Sequence, residues 1–115
     1  MASSFAREPG AEVVRRHDHL SDAEAAELVG LFKVLASETR LRLLVALAAA
    51  GEMRVTDLAE SVGLSTQAMS NQLQRLVDRQ IVAARRHGNN VYYRIVDACV
   101  SDTVHAARCL VDDAQ

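Results

Sequence analysis

The sequence predicts a mainly α-helical domain carrying a two-stranded β-hairpin, in the order of a winged helix-turn-helix. Three observations predict it. Val55 to Val96 reads as helix, tight turn, helix and hairpin; the second of those helices has one apolar and one amide-rich face; and the hairpin ends in arginines. The rest of the chain supplies apolar helices before and after this unit, which imply a homodimer joined through the first and last helices.

The chain has 115 residues, one domain's worth, and a net charge of −2. Ala and Leu abound while aromatic residues make up 3% of the chain, a composition that favours helices. Residues 1–20 contain Pro9 and Gly10 without a sustained period and read as a flexible arm, leaving 21–115 as the folded domain. No apolar run approaches the roughly 20 residues that span a bilayer, and no secretory signal core is present, so a cytoplasmic protein without membrane contact is expected.

Ser21 opens the first helix with Glu24 three residues on, the pattern of a capping box, ahead of the apolar positions Ala25, Leu28, Val29, Leu31, Phe32 and Leu35. Ser37 caps the next helix, which runs through Leu41, Leu43, Leu44, Val45 and Leu47 to a stop at Gly51. Apolar on nearly every side, it marks the centre of the core.

Thr56 is placed to cap the first helix of the helix-turn-helix, and Gly63 to end it in a left-handed conformation. Leu64 alone separates Gly63 from the next cap, Ser65, and so short a link forces the sharp interhelical angle of this motif. In the following helix Met69, Leu73, Leu76 and Val77 form the inward stripe. Thr66, Gln67, Ser70, Asn71 and Gln74 form the opposite face. Short hydroxyl and amide side chains donate and accept in the major groove of duplex DNA, where Asn or Gln pairs bidentately with adenine.

Ile81 to Arg86 and Val91 to Val96 are rich in β-branched, aromatic and alternating residues, with the turn formers His87-Gly88-Asn89-Asn90 between them. Arg85, Arg86 and Arg94, with Asn89 at the tip, suit phosphates or a narrow minor groove. From Arg54 to Val96 six arginines (54, 75, 79, 85, 86 and 94) face three acids (57, 60 and 78). The basic part of a weakly acidic chain is therefore the expected DNA surface, and double-stranded operator DNA the expected partner. No phosphate-binding glycine loop and no nucleophile beside a base supports an enzyme.

The last helix, from about Asp97 to Val111, aligns Val100, Val104, Ala107 and Val111, with nothing in the helix-turn-helix left to cover them. An uncovered first and last helix imply an antiparallel homodimer, and twofold symmetry would set two reading helices one duplex turn apart on a palindrome.

Leu35-Ala36-Ser37-Glu38-Thr39-Arg40-Leu41-Arg42-Leu43-Leu44, Val55-Thr56-Asp57-Leu58-Ala59-Glu60, Ser70-Asn71-Gln72-Leu73 and Gly88 to Arg94 together resemble the ArsR/SmtB family of bacterial metal-responsive repressors. The resemblance covers roughly Leu28 to Val96. It implies a homodimer that represses in the metal-free state and lets go of DNA when a metal ion binds.

One family site uses cysteines at the start of the helix that precedes the reading helix; here the matching stretch is Glu52-Met53-Arg54-Val55, so no thiolate site is expected there. A second lies on the last helix across the dimer, where the matching positions hold Asp97, Cys99, Leu110 and Asp113. Leu110 cannot coordinate, and its neighbour Cys109 is a substitute. Cys99 and Cys109 are ten residues apart, about 15 Å along one helix, so they would meet only between antiparallel chains.

Within one chain, His105 and Cys109 share a helix face with Asp112 or Asp113, completed by His17 and His19 from the arm. The plainer reading is a solvated His and a packing Cys. Thiolate, imidazole and carboxylate suit Zn²⁺, Cd²⁺ or another thiophilic ion, and a His-rich set would admit Ni²⁺ or Co²⁺. Two other readings keep the fold: a repressor switched by oxidation of Cys99 and Cys109, and a winged-helix module that binds protein.

Overall fold

The computed structural model describes residues 19–114 and divides at Lys33 into two compact units. Residues 1–18 of the expected N-terminal arm, His17 among them, lie outside the described residues. Up to Lys33 the chain is the body of α1 (Asp22–Leu35). Its start is the expected capping box: the Ser21 amide donates to Glu24 Oε1 at 2.9 Å and the Glu24 amide to Ser21 Oγ at 3.1 Å. Leu28, Val29 and Phe32 stand exposed on this helix.

The second unit, from Val34 on, contains α2 (Glu38–Ala50), β1 (Met53–Arg54), α3 (Val55–Val62), α4 (Thr66–Asp78), β2 (Val82–His87), β3 (Asn90–Ile95) and α5 (Ala98–Ala114). Its core is built from Leu43, Leu44 and Leu47 of α2, Leu58 and Ala59 of α3, and Met69, Leu73 and Leu76 of α4, closed by Ile81 and Val82 at the foot of the hairpin. The expected inward stripe of α4 is buried, Val77 only in part. On α2 the burial is one-sided: Leu41 and Val45 are exposed, because one side of this helix has no neighbour within its unit.

Local chemistry fixes most helix ends. Ser37 Oγ accepts from the Arg40 amide at 3.2 Å and Ser65 Oγ from the Ala68 amide at 3.1 Å. Gly63 takes the left-handed conformation at φ 85°, and the Leu64 amide returns to the Ala59 carbonyl, so the link between α3 and α4 is as short as expected. The start of α3 departs from expectation. Arg54 occupies the cap position and Thr56 already lies inside the helix; instead of a hydroxyl cap, the Arg54 guanidinium grips Asp57 through Nε (3.0 Å) and Nη2 (3.2 Å).

The hairpin pairs β2 with β3 from Val82↔Ile95 to His87↔Asn90, leaving Gly88-Asn89 as the two-residue turn. A positive φ at Gly88 but not at Asn89 is the type II′ pattern, whose twist matches that of the strands. A feature unannounced by the sequence joins it: β1, two residues long, pairs antiparallel with β3 through Met53↔Tyr93 and Arg54↔Tyr92, giving the sheet order β1-β3-β2. The last helix also has more support than expected. Val100 is 5% exposed, α5 packs on α2 near its start, and a shallow hollow lies between Leu47, Ile95 and Ser101. The far end is bare, with Leu110 71% and Val111 58% exposed. Among the described residues no helix is long and apolar enough to cross a membrane.

Candidate functional site

Because α4 buries Met69, Leu73 and Leu76, its opposite side is turned outward. Thr66, Gln67, Asn71 and Gln74 are exposed on that side and Ser70 is half-buried among them. The amides are partly pre-set. Gln67 Nε2 donates to Asn71 Oδ1 at 3.2 Å, which leaves the Gln67 oxygen as a free acceptor and the Asn71 NH₂ as a free donor. Gln74 Nε2 donates to Asp78 Oδ1 at 2.8 Å, so Gln74 likewise presents its oxygen outward. A donor and an acceptor side by side on an exposed helix match the edge of adenine in the major groove.

Behind this face lies a contact that spacing does not reveal. The half-buried Arg40 of α2 donates through Nη1 to Gln72 Oε1 at 2.9 Å and through Nε to the Val34 carbonyl at 2.6 Å. That carbonyl lies in the last turn of α1, where helix carbonyls lack intrahelical partners.

The wing brings Arg85, Arg86, Asn89 and Arg94 to exposed positions in the same unit as α4, but not in equivalent states. Arg85 forms a two-pronged ion pair with Glu52, Nη2 to Oε1 at 2.8 Å and Nε to Oε2 at 3.1 Å. Its guanidinium carbon also sits 4.8 Å from the centre of the Tyr92 ring. The hydrogen bond from Arg85 holds the Glu52 carboxyl below its ordinary range, partial burial opposing this and the charges of Arg85 and Arg94 adding to it. Glu52 was expected only as part of a stretch lacking thiolates.

The expected ligands of α5 are brought together only in pairs. Cys109 Sγ lies 3.9 Å from His105 Nε2, both exposed. Asp97 Oδ1 accepts from the Cys99 amide at 3.0 Å, so this carboxylate caps the helix on which Cys99 sits. Both cysteines are free thiols on the surface. Asp113 and His19 are exposed, and among the described residues no three His, Cys, Asp or Glu side chains converge as a metal site would require. The donor types still fit a thiophilic ion, with the set left incomplete within one chain.

A family model described as the MarR family matches residues 37–90. That stretch holds the helix-turn-helix and most of the wing but not α5, so it speaks for the DNA-binding fold rather than for the whole chain. Longer similarities are more specific. The chain is 42% identical over 74 residues to a transcriptional repressor SmtB homolog of Synechocystis, covering 64% of this chain and 55% of that protein. It is 58% identical to the crystal structure of the AntR antimony-specific transcriptional repressor, with a TM-score of 0.75 over 82% of this chain and 85% of the other. It is 34% identical to the solution structure of a homodimeric winged helix-turn-helix DNA-binding domain from Mycobacterium bovis, with a TM-score of 0.70 over 83% and 90% of the two chains. The chain spans 55% to 66% of the length of the first curated relatives it matches. With the paired helices, the three-stranded wing and these similarities in hand, the chain belongs to the ArsR/SmtB family of winged helix-turn-helix transcriptional regulators.

Proposed function

We propose that the protein is a transcriptional repressor that binds a palindromic operator as a homodimer and leaves it when a thiophilic metal or metalloid ion binds. The observation that carries the DNA half is the outward face of α4, where Gln67 and Asn71 are locked into a donor and acceptor pair beside an arginine-bearing wing. Thr66, Ser70 and Gln74 complete the base-reading set.

The dimer is supported by what one chain leaves uncovered: Leu110 and Val111 on α5 and, on α1, Leu28, Val29 and Phe32. The sensing half is supported by two exposed free thiols on α5 and by similarity to a repressor described as antimony-specific. Cys99 and Cys109 are the thiolates of this reading, with Asp97, His105 and Asp113 as the oxygen and nitrogen donors drawn from the same helix and its cap. A bound ion would supply a charge and a fixed geometry to which these side chains respond. Release from DNA then requires that the ion bind more tightly to the form of the dimer whose reading helices are spaced wrongly for the duplex.

The test is titration of the reduced protein with Zn²⁺, Cd²⁺, Ni²⁺ and antimonite beside operator binding by fluorescence anisotropy. One or more ions should bind stoichiometrically and lower DNA affinity. Stoichiometric binding that leaves DNA affinity unchanged sinks the sensing claim and leaves the DNA claim standing.

The same exposed thiols favour a second reading, in which oxidation joins Cys99 of one chain to Cys109 of the other. A covalent dimer on non-reducing electrophoresis after mild peroxide would support it, and a chain that stays monomeric would exclude it.

A further inference from the structure

The three strands set Arg54, Tyr92 and Arg85 in one row, since Arg54 and Arg85 are both register partners of Tyr92. Side chains directly opposite each other share a face of a sheet. Arg94, opposite Ala83, lies on that same face, and Arg86, next along β2 from Arg85, lies on the other. Two of these four guanidinium groups already have carboxylates: Arg54 has Asp57, and Arg85 has Glu52 at its edge with the Tyr92 ring against its face. Among the described residues the guanidinium groups of Arg86 and Arg94 have neither an ion pair nor a hydrogen bond, Arg94 reaching Glu52 only through its charge, and both residues are exposed.

A phosphate approaching Arg85 meets Glu52 as well, and the pair has no net charge to offer it. Its geometry does something else. Glu52 lies just before β1, at the junction of α2 with the sheet, so its grip on Arg85 ties the rising strand of the wing to the body 33 residues earlier in the chain. We propose that Glu52 and Arg85 are positioning residues that fix the pitch of the wing, and that Arg86 and Arg94 carry the wing's phosphate contacts. The proposal rests on the DNA-binding reading and divides labour among arginines that the sequence presents as equals.

Salt dependence separates the two roles, because a side chain that neutralises a phosphate releases a counterion and one that braces the fold does not. The probe is a fluorescent duplex recovered from a random pool by the unmodified dimer, titrated across a range of potassium chloride concentrations. Arg86→Ala and Arg94→Ala should each flatten the plot of log affinity against log salt by about 1.8, roughly 0.9 for each of the two wings of a dimer.

The exchange Glu52→Arg with Arg85→Glu keeps net charge and re-forms the pair in reverse. It should keep the slope of the unmodified protein and stay within roughly two- to fivefold of its affinity, the range an exposed ion pair commands. Should the exchange fail to fold, Arg85→Gln serves in its place, with weakened binding and an unchanged slope expected. A slope flattened by the exchange, or by Arg85→Gln, as much as by Arg86→Ala would put Arg85 on a phosphate and overturn the assignment. Failure of the unmodified dimer to recover any duplex would overturn the DNA-binding reading itself, and this proposal with it.

Discussion

Arg40 and Gln72, 32 residues apart in sequence, are joined by a 2.9 Å hydrogen bond from the guanidinium on α2 to the side-chain oxygen on α4. The same guanidinium holds the Val34 carbonyl, so a single planar group spans three stretches of backbone. Gln72 is neighbour to Asn71, and its anchorage behind the helix limits the roll of the face in front.

Arg40→Ala should therefore lower unfolding free energy by about 1–3 kcal/mol, the range for hydrogen bonds to a charged group together with a carbonyl left unpaired. Urea unfolding at a fixed protein concentration measures it. Arg40→Lys keeps the charge but not the planar fork, and should recover only part of the loss. Full recovery by lysine would mean that charge alone matters at this position.

Gln80 has a φ of 62°, a left-handed conformation, at the end of α4. The Ile81 amide bonds the Leu76 carbonyl and the Gln80 amide bonds the Val77 carbonyl, both at 2.9 Å, which is the Schellman arrangement with glutamine where glycine is usual. Gln80→Gly should raise stability by about 0.5–1 kcal/mol: relief of the left-handed penalty exceeds the extra backbone freedom glycine has when unfolded. A higher urea midpoint with an unchanged slope would show it, and a lower midpoint would contradict it.

The Glu52 carboxyl is depressed by its hydrogen bond from Arg85. A depressed carboxylate contributes stability above its unfolded pKa and loses it as pH falls through the lower, folded value. The wing's brace should thus be intact throughout the neutral range and give way only in acid. An NMR titration of the Glu52 side chain should find its midpoint below the ordinary carboxylate range, returning toward that range in Arg85→Ala.

Cys99→Ser and Cys109→Ser offer a test of whether a thiolate site crosses the dimer. Each homodimer should lose the thiolate-to-metal absorption seen with Cd²⁺ in the unmodified protein. Equimolar mixing followed by subunit exchange should restore about a quarter of it, since half of the dimers then hold one intact pairing of Cys99 with Cys109 of the partner subunit out of two possible. No recovery after verified exchange would mean that Cys99 and Cys109 of partner subunits do not share a site.

Features resting on three or four neighbouring residues were legible in the sequence. Ser21 with Glu24, Ser37, Ser65 and Gly63 act where their spacing places them, and Met69, Leu73 and Leu76 face inward as their period requires. Contacts that depend on register between distant strands were not. Neither the Glu52 and Arg85 pair nor the Arg40 bridge to Gln72 has a local signature, because each exists only once α2, the sheet and α4 have packed. Thr56 misled for a related reason. A hydroxyl ahead of an acidic turn looks like a cap, but β1 pairing continues through Arg54 and starts the helix one residue before Thr56. The exposed amides of α4 were legible as a set, while the bond between Gln67 and Asn71 that orients them depends on side-chain rotamers that no residue pattern fixes.

The two-residue strand β1 changes what kind of mechanical object the reader is. A free hairpin would bend at its root and absorb small movements of the body. Pairing of Met53 and Arg54 with Tyr93 and Tyr92 stitches the returning strand to the residues that lead directly into α3, and α4 follows after a single short link. Wing and α4 are then joined through paired backbone and one short helix rather than through a free hinge. In the repressor proposed above, a small rotation imposed on this body would reach the duplex as a coordinated loss of register of wing and helix, so an inducer would not need to unmake any individual contact in order to empty the operator.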